Sequence, residues 1–152
     1  MEWLFQEISV KAQMGPFDDK DIGLSVATKN IEIGLGMGIT IQESSSARNR
    51  DFWPSISMGD PQRRKNLFNA VTNALEKADS LSEKSVCFFT TGFETSRIPS
   101  WEVAEEIVRA IHTHCQKGCQ IEKVIIVVGS PTQLSSLQYA LDNAHIIAGP
   151  GT

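Results

Sequence analysis

The chain is poor in the features that would commit it to several common classes. It carries three cysteines in 152 residues, Cys87, Cys115 and Cys119. Three thiols cannot all pair within one chain, which argues against a disulfide-stapled scaffold and for a reducing compartment. No run approaches the roughly 18 to 20 consecutive apolar residues that cross a bilayer. The opening "MEWLFQEISV" has no basic segment followed by an apolar stretch and a cleavage site. No membrane contact is expected, and the expected location is cytoplasmic. A basic excess is missing too: 14 Lys and Arg stand against 18 Asp and Glu, for a net charge of -4. Non-specific binding to nucleic acid therefore has no electrostatic drive. Neither a Walker loop nor a G-x-G-x-x-G fingerprint occurs, and there is no internal repeat or low-complexity tract.

What is present suits one globular domain spanning residues 1–152, with 41% hydrophobic and 21% charged residues. Short runs rich in β-branched or aromatic residues predict strands at Trp3 to Val10, Ile22 to Thr28, Val86 to Thr90 and Val124 to Val128. The last two are almost wholly apolar, as strands covered on both faces should be. Apolar residues recur at helical spacing in three segments: Leu67, Val71, Ala74, Leu75 and Ala78; Ala104, Ile107, Val108 and Ile111; and Leu134, Leu137 and Leu141. Ser130 and Pro131 supply a cap and first-turn proline to the third. His145 to Ala148 is a candidate short strand. Residues 42 to 62, rich in serine, arginine and proline, read as a long irregular loop. Strands alternating with helices predict an α/β fold: a three-layer α/β/α sandwich around a mixed, largely parallel sheet.

Two loops could carry chemistry. In an open α/β sheet the crevice outside the carboxyl ends of the strands takes the ligand. "TTGFETSRIPSW" follows the Val86 strand there, with hydroxyls at Thr90, Thr91, Thr95 and Ser96, close backbone access at Gly92 and a positive charge at Arg97. "VATKNIEIGLGMGIT" follows another strand, with Asn30 ahead of alternating Gly34, Gly36 and Gly38. If the two strands are neighbours, the loops form two sides of one crevice suited to a phosphate or diphosphate.

The order of these features resembles a macro domain, most closely over "LFNAVTNALEKADSLSEKSVCFFTTGFETSRIPSWEVAEEIVRAI" and "IEKVIIVVGSPTQLSSLQYAL". The resemblance implies binding of ADP-ribose or a related nucleotide, with Asn30 at the ribose, Gly34, Gly36 and Gly38 in one phosphate loop and Thr91, Gly92, Phe93, Glu94 and Thr95 in the other. The helix near Ser100 would help hold the phosphates. The family's adenine-reading aspartate has only displaced counterparts in Asp18, Asp19 and Asp21, and "VVGSPTQ" lacks the aromatic that often stacks on adenine there, which Phe93 could replace only from another direction. The helix that follows the glycine-rich loop in the family has no counterpart in "TIQESSSARNRDFWPS".

A non-catalytic binding module is the expected function. The alternatives are an ADP-ribosyl glycohydrolase using Lys29 with Glu94, and a macro-derived subunit that meets a protein partner through Phe52 and Trp53. No cofactor and no metal are expected: His112, His114, Cys115 and Cys119 in "HTHCQKGC" are crowded together without a second ligand half. The arginines Arg48, Arg50, Arg63 and Arg64 read as solvated loop charges, and Trp101 as core or rim packing.

Overall fold

The computed structural model describes residues 2–28, 31–32, 40–41 and 45–147. Its strands are β1 (Glu2–Phe5), β2 (Ile8–Met14), β3 (Leu24–Ala27), β4 (Ile31–Glu32), β5 (Thr40–Ile41), β6 (Asn49–Phe52), β7 (Ser85–Phe89) and β8 (Lys123–Val128). The helices are α1 (Arg63–Ser80), α2 (Gly92–Thr95), α3 (Ser100–Cys115), α4 (Pro131–Asp142) and α5 (Ala144–Ile147). Six strands form one mixed sheet in the order β1-β2-β8-β7-β3-β6, parallel throughout except for the antiparallel β1–β2 pair. β4 and β5 make a separate antiparallel ladder. The predicted α/β fold with a largely parallel sheet flanked by helices is the one observed.

The alternation of side chains along each strand divides the sheet into two apolar faces. Val86 and Phe88 of β7, Val124, Ile126 and Val128 of β8, and Leu24 and Val26 of β3 point into the larger core, where α1, α3 and α4 pack. Leu67, Val71, Leu75, Ile107 and Ile111 are sealed there, each contributing about 1.5 to 3 kcal/mol of burial. Cys87, Phe89, Ile125, Val127 and Ala27 point the other way, into a smaller cluster with Ile22 against which Phe17 and Ala47 pack. Among the described residues that second face is covered by connecting segments.

Asp19 anchors this cover. Its carboxylate is 3% exposed and accepts from the Ser25 hydroxyl at 2.6 Å, the Ser45 hydroxyl, and the Ser46 N–H at 2.8 Å. Burial alone would raise its pKa, but these bonds outweigh it and hold the carboxyl below its ordinary value.

Four expectations are corrected. Trp3 to Val10 is two strands joined at Gln6 and Glu7, with Gln6 in the left-handed region (φ 55) as a two-residue hairpin requires. Residues 42 to 62 are not loop throughout, because β6 pairs parallel with β3 from Leu24↔Asn49 to Ala27↔Phe52. β6 is polar because it is an edge strand with one partner. Residues Ala144–Ile147 form a helical turn in which the Ile146 and Ile147 amides both donate to the Asn143 carbonyl at 3.0 Å, so His145 starts no strand. The arginines are paired: Arg48 with Glu83, Arg63 with Glu102, and Arg64 with Glu105 and Glu106, while Arg50 donates to the Ser45 carbonyl.

Candidate functional site

β3 and β7 are adjacent and parallel, with Leu24↔Val86, Ser25↔Cys87 and Val26↔Phe88 in register. Their carboxyl ends therefore emerge side by side, and the two candidate loops leave the sheet next to each other. The β4 segment that flanks the glycine-rich stretch also lies beside α2, the turn formed by the second loop. A cavity of ≈ 240 Å³ opens here, lined by Thr28, Trp53, Pro54, Ser55, Ile56, Gly92, Phe93 and Ser96.

Trp53 and Phe93 build its inner wall. The Trp53 amide continues the β6 pairing by donating to the Ala27 carbonyl at 3.0 Å, and its indole N–H donates to the Phe89 carbonyl at 2.7 Å. Its ring lies 5.6 Å from Phe88 and 4.9 Å, edge-on, from Phe93. Trp53 is 7% exposed, so it does not supply the exposed docking surface of the alternative reading in which Phe52 and Trp53 meet a protein partner. Phe93, at 5%, gives its ring to the core and offers no face for a base to stack on.

Gly92 is required by close approach. A Cβ there would sit 2.1 Å from Thr28 Oγ1, so the loops after β3 and β7 meet where only glycine fits. The Phe93 and Glu94 amides donate to the carbonyls of Thr90 and Thr91 at 3.1 and 3.2 Å, and an anion reaching those two N–H groups would replace these bonds. α2 itself runs through Thr95. Ser100 borders a separate void of ≈ 10 Å³ in the core with Thr90 and Gln133, and does not line the crevice.

A short polar network ties the ends of β7 and β8. The buried Gln133 donates from Nε2 to the Thr90 carbonyl at 2.9 Å and accepts the Gly129 N–H on Oε1 at 2.7 Å. Thr90 donates through its hydroxyl to the Val127 carbonyl at 2.9 Å. The Ser130 hydroxyl caps α4 by accepting from the Gln133 amide and donates to Glu94 Oε1. Gln133 was not among the residues singled out from sequence. Its signal is the Ser-x-x-Gln spacing of a helix start, although the amide here reaches past the cap to the neighbouring strand.

Of the candidate residues, Gly92 and Phe93 line the crevice, beside Thr28; Thr91 and Glu94 belong to the same turn but do not line it, with Thr91 against Gly129 and Glu94 on Ser130. Lys29, Asn30, Gly34, Gly36 and Gly38 lie outside the described residues, as does the side chain of Thr95. Asp19 spends its carboxylate on serines, and Asp18 and Asp21 are exposed on the same segment. No described helix is long and apolar enough to cross a membrane.

The sequence matches no family model and no curated protein. The structure does have clear relatives. It is similar to the Oceanobacillus iheyensis macrodomain solved with ADP, at TM-score 0.72 and 17% identity over 93% of this chain and 94% of that one. A mutant of that domain solved with ADPR aligns at TM-score 0.72 and 14% identity, over 93% and 96% of the two chains. The macro domain of ganglioside induced differentiation associated protein 2 aligns at 0.63 and 17%, over 94% and 85%. With a six-stranded mixed sheet in this order and agreement over nearly its whole length, the chain has the macrodomain fold.

Proposed function

We propose that the chain is a binding module for ADP-ribose or a related nucleotide diphosphate, held in the crevice between the loops that follow β3 and β7. The observation that carries this reading is the parallel pairing of those two strands, which brings their carboxyl ends, where the two glycine-bearing segments begin, to one end of the sheet. Support comes also from solved macrodomains of the same fold whose ligands are ADP and ADPR. In this reading Thr91 to Thr95 flank the diphosphate on one side, Gly34, Gly36 and Gly38 on the other, and Asn30 orients the ribose.

The diphosphate and ribose supply most of the affinity, because the Asp19 carboxylate is already engaged by Ser25, Ser45 and Ser46 and leaves adenine without that reader. Glu94 is held by Ser130, so a hydrolytic role with Lys29 is not part of the proposal. Calorimetric titration with ADP-ribose, ADP and AMP tests it. Saturable binding of ADP-ribose and ADP, with AMP at least about tenfold weaker, is expected, a gap of about 1.4 kcal/mol. Equal affinity for all three would reject the diphosphate as the anchor, and no binding of any would reject the proposal.

A further inference from the structure

At the opposite end of the sheet, where α1 and α3 finish and β8 begins, three side chains converge. Asp79 comes from the last turn of α1, His114 from the last turn of α3, and Cys119 from the loop that follows. One potential ligand atom from each lies within 4.8 Å of the other two. This arrangement supplies what the "HTHCQKGC" segment lacks by itself, since Asp79 is a ligand half contributed by a different helix. We infer that Asp79, His114 and Cys119 form a site for a thiophilic divalent cation of the zinc class.

The donor set fits that chemistry: a thiol, an imidazole and a carboxylate are the three side-chain ligand types that zinc takes. Bonds of about 2.0 to 2.3 Å in a tetrahedral site put ligand atoms about 3.3 to 3.8 Å apart, so an ion would part the Asp79–His114 contact and draw in Cys119 from no more than 4.8 Å, within the reach of side-chain rotation. His114 Nε2 and Asp79 Oδ2 are hydrogen-bonded at 2.6 Å, a contact that a bound cation would replace. Asp79 is also oriented from outside, because its Oδ1 accepts the Gln120 N–H at 3.0 Å.

His114 is 5% exposed, so packing holds its imidazole against Asp79; among the described residues its other ring nitrogen, Nδ1, has no hydrogen-bond partner. Gly118, at φ +73, turns the chain sharply enough to bring Cys119 back under the helix end. A surface cleft of ≈ 510 Å³ lined by Gln6, Glu7, Cys115, Gly118, Cys119 and Gln120 reaches the cluster on its Cys119 side.

The test is a cobalt titration of the whole, chelator-treated chain, kept reduced with a phosphine. The expected result is a thiolate-to-cobalt charge-transfer band that saturates at one ion per chain, is displaced by zinc, and is lost in Cys119→Ser and in His114→Gln. Absence of the band in the intact chain would overturn the inference. Its survival in Cys119→Ser would overturn the assignment of the ligand. Folding of both variants is followed by circular dichroism, and Asp79→Asn, which keeps a side chain able to hydrogen-bond His114, provides a further variant. In Asp79→Asn the cobalt affinity should fall at least about tenfold, and an unchanged affinity would remove Asp79 from the site.

Discussion

The two faces of the central sheet are covered by different means. One is sealed by α1, α3 and α4, whose apolar stripes interlock with alternate residues of β3, β7 and β8. Across the described residues, the other is closed by Phe17, Ile22 and Ala47 on segments that have no regular structure of their own and depend on Asp19 for their place. The first cover rests on area removed from water. The second buries a smaller apolar cluster and adds a few hydrogen bonds to one carboxylate, and that polar part of the cover responds to pH.

This contrast can be broken from either side. Ile107→Ala, in the sealed helical layer at 1% exposure, should cost about 2 to 5 kcal/mol in denaturant unfolding, with little dependence on pH. Asp19→Asn should cost less, about 1 to 3 kcal/mol near neutrality, because it disturbs the acceptor of two serine hydroxyls and an amide. The sign of its pH dependence follows from the lowered folded-state pKa of Asp19. The carboxylate's contribution is present above the unfolded value of about 3.9 and is lost as pH falls through the folded value, so the two proteins should converge in stability below about pH 4. A constant difference down to the most acidic measurable pH would show that Asp19 acts by shape alone.

Gln133→Leu sharpens the comparison at the crevice end. It leaves the Gly129 N–H without its Gln133 acceptor and the Thr90 carbonyl with only the Phe93 amide, should cost about 1 to 3 kcal/mol, and should weaken ligand binding by loosening the loop after β7. Trp101→Ala is expected to be the mildest change, at most about 1 kcal/mol. Trp101 is 54% exposed, and the Arg64 guanidinium lies 5.3 Å from its ring centre.

The helical face was legible in the sequence because burial there imposes a period. Leu67, Val71, Ala74, Leu75 and Ala78 are the buried residues of α1, and the unbroken apolar runs of β7 and β8 mark strands covered on both sides. β6 was not legible, since an edge strand reading Asn-Arg-Asp-Phe has no apolar alternation to detect. The burial of Trp53 was hidden for the same reason: it comes from the pairing of β6 with β3, which residues 42 to 62 do not announce.

The positions of the candidate loops could be read from strand and turn chemistry. The side-chain connections around them could not, because Gln133 to Thr90 and Asp79 to His114 join residues far apart in the chain and follow from topology alone.

The most direct test of the nucleotide reading is amide chemical-shift mapping of the folded chain during titration with ADP-ribose, using the Trp53 indole N–H as a reporter inside the crevice wall. Saturable shifts concentrated at Thr28, Ser55, Gly92 to Ser96 and the Trp53 indole, with His114 and Gln120 at the far end unchanged, are the predicted result. The same shifts should be absent in Gly92→Val, where the new side chain meets Thr28, and in Ser55→Trp, which fills the mouth of the cavity from an exposed position. No shifts at saturating ADP-ribose, or shifts centred on the far end of the sheet, would contradict the account.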